Sequence, residues 1–183
     1  MKINPTIPLC GIDPHQRAEK ARAIFKQGYN CCQAVVLAFS DLLLTDDGRR
    51  IQDSDLAGLT SGFGGGMGRM REVCGTVSGM TFMAGVIAPA EDPQDRARRS
   101  ANYALVQKFA SEFRSANGSI ICRELLSPSA AGAESPVPQE RNEAYYRKRP
   151  CDELVACAAA IVAERLAGHS AERVIAGSRA EMA

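Results

Sequence analysis

Gly62-Phe63-Gly64-Gly65-Gly66-Met67-Gly68-Arg69-Met70-Arg71-Glu72-Val73-Cys74-Gly75-Thr76-Val77-Ser78-Gly79 decides how the rest of this chain is read. Its first half is too rich in glycine to be helical. It runs directly into an apolar segment whose first turn carries Cys74. Glycine adopts positive φ without strain and lets backbone or a bound group come close. Gly75 and Gly79 stand four apart, so on a helix they share one face and admit a close neighbour. A sulfur set in such crowded backbone predicts a buried reactive or ligating site on which distant cysteines converge.

The run Val73–Ala90 carries no charge and reaches the lower limit of a membrane span. Thr76, Ser78, Thr81 and its glycines dilute it, so a central helix buried on all sides is expected instead. Upstream, Asp13-Pro14 matches a cap followed by proline at the first helical position. Ala18, Ala21, Ile24 and Phe25 recur there at helical spacing, and Gly28 stops the segment. Asn30 caps a second helix, apolar from Cys31 to Leu43 and ended at Asp46-Asp47-Gly48. Asp53 or Ser54 caps a short third helix through Leu56 and Leu59 that opens into the glycine loop.

Downstream, the central helix closes at Pro89. Asp92-Pro93 starts a fifth helix with Tyr103, Leu105, Val106, Phe109 and Phe113 on one face, ended by Asn117-Gly118. One or two helical turns follow at Cys122–Leu126. Residues 127–149 hold three of the nine prolines and read as a long excursion. Pro150 opens a last helix from Cys151 through Leu154, Val155, Ala158, Ala159, Val162 and Leu166 to Gly168. Strand alternation is missing throughout. The expectation is an all-α, single-domain bundle of about six helices. Residues 1–12 form an irregular arm, 13–168 the domain, and 169–183 a polar tail.

Composition agrees. A chain of 183 residues with 45% hydrophobic and 23% charged residues buries a sizeable core. Aromatics are only 5% and Trp is absent, so Ala, Leu, Val, Ile and Met build that core. A net charge of +1 gives no electrostatic case for nucleic acid or an anionic membrane. The proline-broken start is no secretory signal, and a cytoplasmic setting is expected. Ala- and Gly-rich helix faces would also admit a homodimer.

Seven cysteines are many for such a chain, and an odd number excludes a complete disulfide framework. In a reducing compartment they point to metal or catalytic use. Cys31, Cys74 and Cys151 sit at predicted helix starts, and Cys122 near the start of its own short helix. Free backbone N–H groups and the helix dipole stabilise thiolate there, the form that attacks disulfides and binds metal. The four are too far apart in sequence for the paired spacing of zinc fingers or ferredoxins. Cys10, Cys32 and Cys157 read as packing residues.

Five segments together resemble one family. They are Tyr29-Asn30-Cys31-Cys32-Gln33-Ala34-Val35, Ser61 to Gly68, Cys74-Gly75-Thr76-Val77-Ser78-Gly79, Cys122-Arg123-Glu124-Leu125 and Cys151-Asp152-Glu153-Leu154-Val155. In that order they resemble the C_GCAxxG_C_C family of redox-active proteins, over roughly residues 15–166. Thr76 stands where the family motif has alanine, as does Cys32. The resemblance maps the family cysteines onto Cys31, Cys74, Cys122 and Cys151. It extends to the cluster-bearing part of split-Soret cytochromes, which implies a four-cysteine iron–sulfur site. A 2Fe–2S cluster for electron transfer or redox sensing is the leading expectation, with an unidentified redox partner. Gly64, Gly65, Gly66 and Gly75 would wrap the cofactor. No Cys-x-x-Cys-His occurs, so covalent haem is not expected.

Three alternatives stand beside it: a cofactor-free thiol/disulfide protein on the same cysteines, a structural four-cysteine zinc site in an interaction module, and a helical domain whose cysteines are only core. The glycine loop is no P-loop, because no Gly-Lys-Ser/Thr follows and no strand precedes it. Arg69 and Arg71 could hold an anion at the helix start, but are expected as solvated loop residues. His15 and His169 read as surface, and Met67, Met70, Met80 and Met83 as core filling.

Overall fold

The computed structural model describes residues 1–126 and 135–180, with side chains described up to residue 168. Residues 127–134 of the expected excursion, the side chain of His169 and the last three residues of the expected tail lie outside that range. The described chain is predominantly helical, with one sheet of two short strands. No helix among the described residues is long and apolar enough to cross a membrane.

Helix α1 (Pro14–Lys26) starts where expected: the Asp13 carboxylate accepts from the His15 amide at 2.8 Å, with Pro14 at the first position. Gly28, at φ 109°, turns the chain out of it. Asn30 then makes a reciprocal cap for α2 (Cys31–Leu37). Its side chain accepts from the Cys32 and Gln33 amides, while the Gln33 side chain accepts from the Asn30 amide. This helix ends earlier than expected. A 3-10 turn at Ser40–Leu42 and a short strand at Leu43–Leu44 take its place.

Strand β1 (Lys2–Ile3) pairs antiparallel with β2 (Leu43–Leu44), Lys2 opposite Leu44 and Ile3 opposite Leu43. Residues 1–12 are therefore not an irregular arm. The strand, a 3-10 turn at Leu9–Gly11 and the Met1 ammonium on Asp46 (3.0 Å) tie them down. Strands of two residues carry no alternation to read.

Helix α3 (Asp53–Thr60) begins at Asp53, so Gln52 rather than Asp53 or Ser54 stands at the cap, with Asp53 and Asp55 in its first turn, where the helix dipole favours carboxylates. The central helix is α4 (Gly75–Ile87). It is not buried on all sides: Thr81 and Gly85 face solvent, while Met80, Met83 and Ala84 are fully buried. Gly79 lets α2 lie directly on α4, since a Cβ there would stand 2.8 Å from the Val35 Cβ and 3.2 Å from the Cys32 carbonyl oxygen. Met67 and Met70 are surface residues, not core filling.

Helix α5 (Arg96–Asn117) is capped by Asp95 rather than Asp92 and closed by Gly118 at φ 88°. Leu105, Phe109 and Phe113 repeat every four residues into the core, which leaves Tyr103 outside, 59% exposed. Helix α6 (Cys122–Leu125) is a single turn. Helix α7 (Glu143–Arg147), capped by Asn142, falls within the expected excursion. Helix α8 (Cys151–Ala180) runs past its expected stop. Gly168 continues the helix without positive φ, because one helical glycine costs only about 1 kcal/mol. The first half of α8 packs along α1 and crosses α2, α4 and α5.

Candidate thiol site

The four cysteines singled out in the sequence come from four elements and line one cavity of about 290 Å³. Cys31, Cys122 and Cys151 are the first residues of α2, α6 and α8, and Cys74 is the cap of α4. Backbone contacts explain the gathering. Val73 and Ile121 form an isolated antiparallel bridge. The Cys74 amide donates to the Ile120 carbonyl at 2.8 Å, and the Cys122 amide to the Glu72 carbonyl at 2.7 Å. Beside them the Arg123 guanidinium forks onto both Glu72 oxygens at 2.8 Å. Asn30 joins Cys31 to the glycine loop: its Nδ2 donates to the Ser61 carbonyl at 2.8 Å.

The loop folds on itself. The amides of Gly68, Arg69, Arg71 and Glu72 donate to the carbonyls of Gly62, Gly64, Gly65 and Gly66. These N–H groups are therefore turned toward the loop's own carbonyls. Gly64 and Gly65 line the cavity. Gly66, at φ 72°, instead gives room to protein: a Cβ there would stand 2.6 Å from the Cys122 Cβ. At Gly75 a Cβ would stand 2.7 Å from the Cys31 sulfur and 2.7 Å from the Phe63 carbonyl oxygen. Two of the four glycines thus line the cavity, and the other two leave room for Cys122 and Cys31 where a Cβ would collide. Three side-chain-bearing residues, Met67, Arg69 and Arg71, also sit at positive φ. Such strain persists only where the surroundings impose it.

Burial, not helix position, sets the thiols. Desolvation pushes Cys74 up to about 12, and Cys31 adds to the rise. Burial raises Cys151 and Cys122 as well, with the neighbouring cysteines adding to both. The favourable contributions are smaller: the Thr76 hydroxyl 3.1 Å from the Cys74 sulfur, Arg71 on Cys122, and Arg149 on Cys122 and Cys151. The expectation that a helix start leaves the sulfur ionised is thus reversed for Cys74, Cys122 and Cys151 in the chain alone. Removing charge from water outweighs a helix dipole.

Arg71 also overturns its expectation as a solvated residue. It is 4% exposed, its guanidinium lies against Gly65, and its Nε has no hydrogen-bond partner. Arg149, Arg141 and Tyr145, which sequence reading missed, line the same cavity. Arg149 precedes Pro150-Cys151, yet nothing in the spacing of a proline-rich excursion announces an arginine wall. The other three cysteines do not line the cavity. Cys32 is fully buried in the core and pushed up to about 12, Cys157 accepts from the Asn117 amide at 3.3 Å, and Cys10 is exposed. Exposed His15 matches its surface reading.

Among the described residues no three His, Cys, Asp or Glu side chains stand close enough to grip one metal ion. Sulfurs on a single tetrahedral zinc lie about 3.8 Å apart. No three of the four thiols meet that condition. A core of two irons bridged by sulfide, with two cysteines on each iron, needs no three ligands on one centre. Among the described residues, four soft donors, no carboxylate and two buried guanidiniums make a chemically fitting wall for such an anionic core.

A helical fold that draws four dispersed cysteines into one buried cavity defines a thiol-pocket protein. Residues 29–165 match the family described as Putative redox-active protein (C_GCAxxG_C_C), and the chain belongs to that family. No curated protein and no solved structure matches it.

Proposed function

We propose that Cys31, Cys74, Cys122 and Cys151 hold an iron–sulfur cluster of the 2Fe–2S type, and that the chain transfers electrons to a separate partner or senses redox state in the cytoplasm. The observation that carries this reading is the single cavity lined by all four thiols. When bound, the cluster supplies one-electron chemistry near a protein surface. The chain's own residues supply the rest. Arg71 and Arg149 offset the charge that four thiolates bring into the core. Gly66 and Gly75 let Cys122 and Cys31 approach without a Cβ in the way. The bridge at Val73 and Ile121 sets Cys74 beside Cys122.

The raised thiols of Cys74, Cys122 and Cys151 weigh against their use as attacking sulfurs in a cofactor-free disulfide exchanger, which needs an ionised thiol near neutral pH. Among the described residues no three side chains are placed to hold one metal ion, which weighs against a single zinc. Anaerobic purification tests the reading. The protein should be brown, with about two irons and two sulfides per chain and a paramagnetic signal on reduction. Colourless protein after anaerobic reconstitution with iron and sulfide would reject it.

A further inference from the structure

We propose that the mouth of the thiol cavity is a binding site for a small oxyanion, a carboxylate or phosphate group, held by Arg69 and Arg141. Four guanidiniums line this cavity, those of Arg69, Arg71, Arg141 and Arg149, and among the described residues no carboxylate does. Arg69, Arg71 and Arg141 make no ion pair among the described residues. Like charges gathered in a half-buried space repel one another, and Arg71 and Arg149 both act against the charge on Arg69. A wall of this kind calls for a counter-anion.

The cluster alone does not fill that need, so the inference rests in part on the function proposed above. An oxidised 2Fe–2S core with four thiolates carries about two negative charges. The buried pair, Arg71 and Arg149, acts directly on the cysteines: Arg71 on Cys122, Arg149 on Cys122 and Cys151. That pair balances such a core and leaves the half-buried pair over.

The remaining pair is pre-arranged. Arg69 spends only its Nε, on the Ser135 carbonyl at 2.6 Å. Arg141 spends only its Nη1, on the Phe25 carbonyl at 2.7 Å, and stacks over the Phe25 ring at 4.4 Å. Each planar fork is fixed by one nitrogen and keeps N–H donors for a ligand. That is the geometry in which guanidinium recognises carboxylate or phosphate. A third group of the wall, Tyr145, carries a hydroxyl whose charged form burial disfavours, so it acts as a neutral donor. The orphaned Nε of Arg71 lies further in, 96% of the residue being shielded from solvent. A cavity near 290 Å³ admits only a small molecule.

Calorimetric titration of the full chain, purified anaerobically, tests this with sodium phosphate and sodium acetate. Sodium chloride at equal ionic strength is the control, and iron and sulfide are counted on the same sample. Saturable binding of one oxyanion and none of chloride is expected, and whichever anion saturates names the class. Arg69→Gln and Arg141→Gln should each weaken it about tenfold, and the lysine replacements less. Phenylglyoxal labelling of the unsubstituted chain reads the same contacts without a variant that fails to fold. The bound oxyanion should protect Arg69 and Arg141 and leave exposed Arg114 reactive. No saturation with either anion, or equal labelling with and without it, overturns the site. Iron-free protein that still saturates keeps the anion site and removes the cluster. Brown protein that binds neither anion does the reverse.

Discussion

The sulfur of Cys31 lies where the side chain of residue 75 would be: a Cβ on Gly75 would stand 2.7 Å from it. The α2–α4 contact and the thiol cavity are therefore one piece of packing. Gly75→Ala must move the Cys31 sulfur or the Phe63 carbonyl, and Gly79→Ala must move Val35. Each should lower unfolding free energy by about 1–3 kcal/mol, the usual cost of overpacking. Gly85 faces solvent on the same helix with nothing within 4 Å of its would-be Cβ. Gly85→Ala should instead stabilise by about 0.5–1 kcal/mol through helix propensity. Urea midpoints of the three variants check the ordering, and an unaffected Gly75→Ala would refute the close contact.

That contact was half legible in the sequence. Two glycines four apart announced a close helix partner, and Asp13, Asn30 and Gly118 announced their helix ends through cap chemistry that acts locally. The cysteines could be chosen by helix position and by family resemblance. Their gathering was expected from the glycine loop, but the means of it could not be read, because it depends on a bridge between Val73 and Ile121, single residues far apart in sequence. The arginine wall was hidden for the same reason. The early end of α2 and the continuation of α8 past Gly168 show tertiary context overriding local signals.

Iron retention should divide the cysteines in two. Cys31→Ser, Cys74→Ser, Cys122→Ser and Cys151→Ser should each lose most of the iron and sulfide, because each removes a cavity-lining donor. Cys10→Ser and Cys157→Ser should keep both, since neither lines the cavity. Elemental analysis with visible absorption decides. Full iron content in any two of the first four would break the proposed ligand set.

Thiol reactivity in iron-free, reduced protein should follow burial. Cys10 is exposed and should take iodoacetamide first at neutral pH. Cys32 and Cys74, both pushed up to about 12 by burial, should stay unmodified until the chain unfolds. Time-resolved mass spectrometry of the labelled chain reads the order. Fast labelling of Cys74 in folded protein would show an ionised sulfur and revive the disulfide-exchange reading.

Acid stability should trace to the ion pair that ties α1 to the end of α2. Arg17, 9% exposed, forks onto Asp41 at 2.6 and 2.8 Å and donates to the Ala38 carbonyl at 2.7 Å. Lys20 adds a bond at 2.7 Å. Burial works to raise the Asp41 carboxyl, but its bonds to Arg17 and Lys20 prevail and hold it well below its ordinary 3.8. A depressed carboxyl contributes stability that is complete above the unfolded value and fades as pH falls below it. The loss should thus begin near pH 4 and deepen downward, with no change on the alkaline side. Because the Asp41 side chain is 41% exposed, solvent screening keeps the Coulomb part near 1 kcal/mol or below. Asp41→Ala should cost more, about 2 kcal/mol, because it strands a buried guanidinium whose Nε is already unpartnered. Pairing that change with Arg17→Met should recover part of the loss, since two absent charges cost less than one stranded charge. Urea unfolding of the two variants at pH 7, and of the parent between pH 2 and pH 7, supplies the comparison. A double variant no more stable than Asp41→Ala would show that Arg17 acts through its stacking on Phe39, 5.4 Å from the ring centre, rather than through its charge.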